Sequence, residues 1–87
     1  MDMLKITEAS KDNKAVILRL DGKVVGELVS DLERLCLHYR DQEKKNIVLD
    51  FSGVSFIDNK GVKMLWKIKD ERIKMVNCSS FIRLLLT

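Results

Sequence analysis

Apolar and polar positions alternate with a period of two in the first third of the chain. Leu4 and Ile6 sit between charged or polar neighbours, and Val16, Leu18 and Leu20 point one way while Ile17 and Arg19 point the other. A period of two is the signature of a strand with one buried face. It predicts a short edge strand from about Leu4 to Thr7 and a second strand over Ala15 to Leu20. Ser10 to Lys14, with Asp12 and Asn13, reads as the turn of a hairpin. Asp21-Gly22 is expected to end the second strand.

The pattern then changes to helical spacing. Leu28, Leu32, Leu35, Cys36 and Tyr39 form one apolar stripe, which predicts a helix over about Glu27 to Arg40 behind Gly26. Glu27 and Asp31 fall in its first turns, where the helix dipole favours negative charge. Asp41 to Lys45 is a polar loop. Asn46 to Phe51 contains Ile47, Val48 and Leu49 without interruption, a strand apolar on both faces, as in the middle of a sheet covered by helices on both sides. Ser52-Gly53 is expected to break it, with Val54 to Ile57 a short apolar return and Asp58 to Gly61 a tight turn. A second helix over about Lys60 to Asp70 is expected to bury Val62, Leu65, Trp66 and Ile68. A last strand lies within Arg72 to Asn77, and Ser79 or Ser80 caps a final helix from about Phe81.

The element order is β-β-α-β-α-β-α. It predicts an α/β domain with a small mixed β-sheet and helices packed on it. At 87 residues the chain, 1–87, is one domain. Its 46% apolar and 33% charged residues place it among globular chains. The net charge of +3 is a mild bias, and no arginine-rich stretch interleaves with aromatics, so nucleic acid is not an expected partner. No apolar run approaches the roughly 20 residues of a membrane span. Met1 to Ile6 carries Asp2 and Lys5 and does not read as a signal peptide. The chain is therefore expected to be cytoplasmic.

Chemistry-bearing patterns are sparse. Cys36 lies on an apolar stripe, Cys78 lies just past a strand, and the two form neither a CxxC nor a ligand set with His. Their pairing as a disulfide is not expected in a reducing compartment. His38, the single histidine, lies off the apolar stripe and beside no catalytic pattern. The chain has no Walker loop, no GxGxxG and no nucleophile beside a base. No metal, cofactor or catalytic residue is expected.

The informative stretch is Val48 to Val62. Asp50-Phe51-Ser52-Gly53-Val54 followed by Phe56-Ile57-Asp58-Asn59-Lys60-Gly61 resembles the STAS domain family, which includes bacterial anti-sigma factor antagonists and the cytoplasmic domain of sulfate transporters. Leu18 to Gly22 resembles the strand that precedes the family's first helix. Met75-Val76-Asn77 with Phe81 to Leu85 resembles its last strand and helix. The resemblance implies a STAS-like fold and a non-catalytic regulatory module that docks an anti-sigma factor or serine kinase. In the family, a serine or threonine directly after the aspartate is phosphorylated. Asn59 stands there instead, and an amide cannot accept phosphate, so the usual switch should be absent.

The resemblance places docking at Asp58, Asn59, Lys60, Gly61, Lys63 and Lys67. Asp58 and Asn59 can also be read as a plain helix cap, their side chains accepting from free N–H groups of the first turn. Lys60, Lys63 and Lys67 share one helix face, which is either solvated surface or a basic docking face for an acidic partner. A second reading makes the chain a stand-alone accessory subunit of an ABC-type lipid transporter, docking its ATPase through the same face. Trp66 reads as core, with a partly exposed anchor as the alternative. Phe81 to Leu86 leaves almost no polar face. The final helix is thus short or cropped, or covered by a partner or a second copy in a homodimer.

Overall fold

A computed structural model describes residues 3–86; Met1 and Asp2 of the N-terminal segment and Thr87 lie outside it. The chain folds as a mixed α/β domain with the expected order β-β-α-β-α-β-α. The strands are β1 (Leu4–Lys11), β2 (Ala15–Val24), β3 (Asn46–Ile57) and β4 (Ile73–Val76); the helices are α1 (Glu27–Leu37), α2 (Asn59–Ile68) and α3 (Ser80–Leu86). The sheet runs β1-β2-β3-β4. β1 and β2 pair antiparallel as the predicted hairpin, and β2–β3 and β3–β4 are parallel, each joined through a helix.

The hairpin turn is tighter than expected because Ser10 and Lys11 extend β1. Asp12 closes it by accepting from the N–H groups of Lys14 and Ala15, and the buried Lys45 donates its Nζ to the Asp12 carbonyl at 2.7 Å.

Two expected strand ends are overturned. β2 runs through Asp21-Gly22 to Val24, and β3 runs unbroken through Ser52-Gly53 to Ile57. The register shifts between Arg19 and Asp21 and again between Gly22 and Lys23. Bulges of this kind absorb the irregular residues and bend the strand without ending it. The Asp50 carboxylate holds the first bulge by accepting from the Ser52 N–H at 2.9 Å and from the Asn77 amide at 3.0 Å. Those bonds, the Ser52 N–H foremost, hold the Asp50 carboxyl below the usual carboxylate range.

Only one face of the sheet is fully buried. Val16, Leu18, Leu20, Ile47, Leu49, Phe51 and Ile73 lie on it, while Ile17, Arg19 and Lys74 on the other face are exposed and Val48 and Asp50 half-buried. The uninterrupted Ile47-Val48-Leu49 run does mark an interior strand, but helices do not cover both sides of it. All three helices contribute to one core.

Leu32, Cys36, Tyr39, Leu65 and Ile68 are buried as expected, whereas Leu28, Leu35 and Val62 are only half-buried. In α1 the buried stripe is Val29, Leu32 and Cys36, with Leu28 half-buried; it continues to the buried Tyr39 in a π-helical turn, His38–Gln42, that forms the end of the predicted helix and the first two residues of the predicted loop. In α2 the buried stripe is Gly61, Met64, Leu65 and Ile68. Trp66, expected in the core, is 55% exposed. α3 is capped by Ser79, whose Oγ accepts from the Ile82 N–H at 3.2 Å. Its Ile82 and Leu86 are buried in the chain's own core, leaving Phe81 and Leu84 exposed. Among the described residues no helix is long and apolar enough to cross a membrane.

Candidate functional site

The polar turn between β3 and α2 is built around one carboxylate. Asp58 has extended backbone and caps α2, its Oδ1 accepting from the Gly61 N–H at 2.8 Å. Its Oδ2 accepts from the Gly26 N–H at 2.9 Å, at the start of α1. Its own N–H donates to the Val24 carbonyl, where β2 ends. A single residue therefore joins the N-termini of both helices, through its side chain, to the end of β2, through its backbone N–H. The donors favour the charged form, so the Asp58 carboxyl is held below its ordinary range, the Gly26 N–H being the largest cause.

Two glycines make this joint possible. Gly26 has φ +56°, a left-handed conformation that costs glycine little, where the chain turns into α1. Gly61 lies where α2 packs on the strands. A Cβ there would stand 2.7 Å from the Ile57 Cγ2 and 2.8 Å from the Val24 carbonyl oxygen. Gly61 is buried, so it serves as a spacer and presents no surface to a partner.

The other residues singled out from the sequence separate into distinct roles. Asn59 is the first residue of α2, not a cap: Asp58 alone caps, and Asn59 is exposed with no hydrogen bond from its amide among the described residues. Lys60, Lys63 and Lys67 are exposed and line one cleft between α1 and α2 of about 230 Å³, whose remaining walls are Val29, Ser30, Glu33 and Met64. The shared face inferred from their spacing is thus real, and it has an apolar floor.

Glu33 was missed by sequence reading. Its carboxylate pairs with the Lys67 Nζ at 2.5 Å across the cleft. Lys67 is largely exposed, so the pair contributes about 0–1 kcal/mol to stability. It also offsets one of the three positive charges of that face. Lys60 acts electrostatically on Asp58, whereas Lys63 has no carboxylate partner among the described residues. No sequence signal marks Glu33, because the pair exists only once α1 lies against α2.

Trp66 was also misplaced. It stands on α2 between Lys63 and Lys67, its indole N–H donating to the Leu86 carbonyl at 3.0 Å. That bond holds a large, half-exposed aromatic against the end of α3, outside the residues that line the lysine cleft. Phe56, two residues before Asp58, is also exposed.

His38 is exposed and bonded to Glu43 at 3.0 Å, away from the α2 turn. The Cys36 thiol is fully enclosed, and burial pushes its pKa up to about 12, which leaves it inert. Both cysteines are free. Among the described residues no group of three His, Cys, Asp or Glu side chains is placed to hold a metal ion.

Comparison with known proteins bears on this geometry. The family model described as the STAS domain matches residues 7–80. Among solved structures, the unphosphorylated form of the anti-sigma factor antagonist SpoIIAA superposes with a TM-score of 0.76 at 20% sequence identity, covering 93% of this chain and 80% of that one. At that identity the likeness concerns the fold. No curated protein sequence matches the chain.

Proposed function

The chain belongs to the STAS domain family, and from that premise we propose that it is a non-catalytic regulatory module that docks an anti-sigma factor or serine kinase through the exposed face of α2. The observation that carries this reading is the Asp58 joint. Its bonds to Gly26 and Gly61 fix the start of α2, and Asn59, Lys60, Lys63, Trp66 and Lys67 project from that fixed helix into solvent. A rigid helix bearing cations and an aromatic anchor suits an acidic partner surface. Charge steers the encounter, and the buried aromatic then supplies affinity.

Asn59 occupies the family's phosphorylated position and has no hydroxyl. The docking face is therefore constitutive. Phosphate would add up to two negative charges beside Lys60 and Lys63, and the uncharged amide keeps the face in its unmodified state.

Affinity capture with the full chain, run beside a Lys63→Glu/Lys67→Glu variant, tests the reading. An anti-sigma factor or serine kinase retained by the first and lost by the second is the expected result. Retention of a transporter ATPase would transfer the site to the accessory-subunit role. Captured proteins indifferent to the two lysines would remove the docking face from α2. Incubating the captured kinase and ATP with the chain and with Asn59→Ser tests the switch, since only the variant should take phosphate at position 59.

A further inference from the structure

A second cavity, larger than the lysine cleft, runs along β4. It is an open groove of about 580 Å³, with Ile73, Met75 and Leu86 in its apolar lining and Lys69, Asp70, Lys74 and Arg83 as its charged residues. None of these residues lines the lysine cleft. β4 is an edge strand. The other edge, β1, carries Lys5, Glu8 and Lys11 and a bulge between Glu8 and Ser10, features that discourage pairing. β4 has no bulge in its register with β3.

The charge of the groove is one-sided. Asp70 is the one carboxylate among the described residues that line it, and its oxygens are already in use. Oδ1 accepts from the Arg72 and Ile73 N–H groups at 2.7 and 3.1 Å, and Oδ2 accepts from the Arg40 guanidinium at 3.2 Å. Lys69, Lys74 and Arg83 are exposed and have no carboxylate partner among the described residues. Lys69 ends α2, Lys74 lies on β4 and Arg83 on α3. The fold therefore gathers three cations from three elements around an apolar floor.

The strand edge adds backbone groups. The Arg72 carbonyl accepts from the Ile47 N–H at 2.6 Å. Alternate residues of a parallel strand turn both backbone groups to the same neighbour, so Lys74 faces β3 and Met75 turns its N–H and C=O to the groove. Side chains alternate between the two sheet faces: Ile73 is buried on the core face, and Lys74 is exposed on the open one.

We propose that the groove binds an extended acidic segment of a partner protein, one in which carboxylates alternate with apolar side chains. Its backbone bonds to Met75. Its apolar side chains lie against Met75 and Leu86, a carboxylate on its other side meets Lys74, and flanking carboxylates reach Lys69 and Arg83. β4 spans four residues, so backbone pairing is confined to Met75, and side-chain contacts carry most of the specificity. Charge complementarity selects this occupant. A second copy of the edge would set the same cations against each other. No aromatic ring lines the groove, so nothing stacks a nucleic-acid base. A lipid surface would meet the cations but leave the concave apolar floor unfilled.

Titration of the full chain with a short synthetic peptide of alternating aspartate and valine, followed by calorimetry and by amide exchange of Met75, tests the proposal. The expected result is saturable binding that slows the Met75 amide. Arg83→Glu and Lys74→Glu should each weaken binding by about tenfold or more with unchanged circular dichroism, whereas Lys63→Glu/Lys67→Glu should leave it unchanged. Absence of saturable binding overturns the proposal. So does equal affinity for a lysine–valine or an aspartate–glycine peptide, or binding indifferent to Arg83→Glu. Tighter binding of phosphatidylglycerol vesicles or of a single-stranded oligonucleotide, lost in Arg83→Glu, also overturns it and gives the groove to lipid or nucleic acid. The α2 variant is a separate arm, so the groove and the docking face stand or fall separately.

Discussion

Asp58 accepts a hydrogen bond from the Gly26 N–H, 32 positions earlier in the chain, at 2.9 Å. This one contact fixes how the starts of α1 and α2 sit relative to each other, and the lysine cleft lies between those helices. Asp58→Ala removes the α2 cap and the Gly26 acceptor together. Each contributes about 1 kcal/mol, so urea unfolding should show a loss of about 2 kcal/mol. Asp58→Asn keeps one carbonyl acceptor and should lose about half as much.

Acid sensitivity follows from the same chemistry. Asp12, Asp41, Glu43, Asp50 and Asp58 all have carboxyls held below their ordinary range, by backbone N–H donors at Asp12, Asp50 and Asp58 and by Arg40 and Lys11 at Asp41 and Glu43. A group whose pKa is depressed by folding contributes stability that is present above its unfolded value and lost as pH falls through its folded one. Stability to urea should therefore be flat above about pH 5 and fall steadily below about pH 4. Asp58→Asn should reduce that slope. An unchanged slope would mean that Asp58 does not titrate with folding.

How much of this was legible depended on whether a feature is local. The hairpin, the interior position of β3 and the order of elements follow from periodicity in neighbouring residues such as Val16, Leu18 and Leu20. The Asp50 and Asp58 turns were visible as motifs, but their bonds to Asn77 and Gly26 were not, since each partner lies far away in sequence. Ser52-Gly53 was misread because glycine usually ends strands, whereas here the Asp50 side chain carries the irregularity inside one. Trp66 was misplaced because Val62, Leu65 and Trp66 look like a stripe when glycine is ignored. Counting Gly61 gives 61, 64, 65 and 68, the i, i+3, i+4, i+7 pattern that the structure buries. The Glu33–Lys67 pair left no trace, because nothing local relates two residues on separate helices.

Trp66 and Met64 should respond oppositely to truncation. Met64 is 5% exposed, so Met64→Ala empties core volume and should cost about 2–4 kcal/mol in urea unfolding. Trp66→Ala removes a half-exposed ring and one hydrogen bond, and should cost about 1 kcal/mol. Its effect on docking should be the larger, a loss of about 2 kcal/mol in partner affinity by calorimetry, as for a central aromatic anchor. Equal losses of stability for the two variants would return Trp66 to the core.

The two thiols should be distinguishable in the native protein. Cys36 is fully enclosed with its pKa at about 12, while Cys78 is half-buried, with burial raising its pKa more modestly. The thiolate is the reactive form and also needs access, so both factors protect Cys36. At pH 8 and low protein concentration, a thiol reagent should modify one cysteine per chain, identified by peptide mapping as Cys78. The second should react only in denaturant. Cys36 should stay unmodified throughout the native labelling. Rapid native labelling of Cys36 would instead show that the packing of α1 on the sheet opens readily, and would undermine the rigid α1–α2 cleft on which the docking face depends.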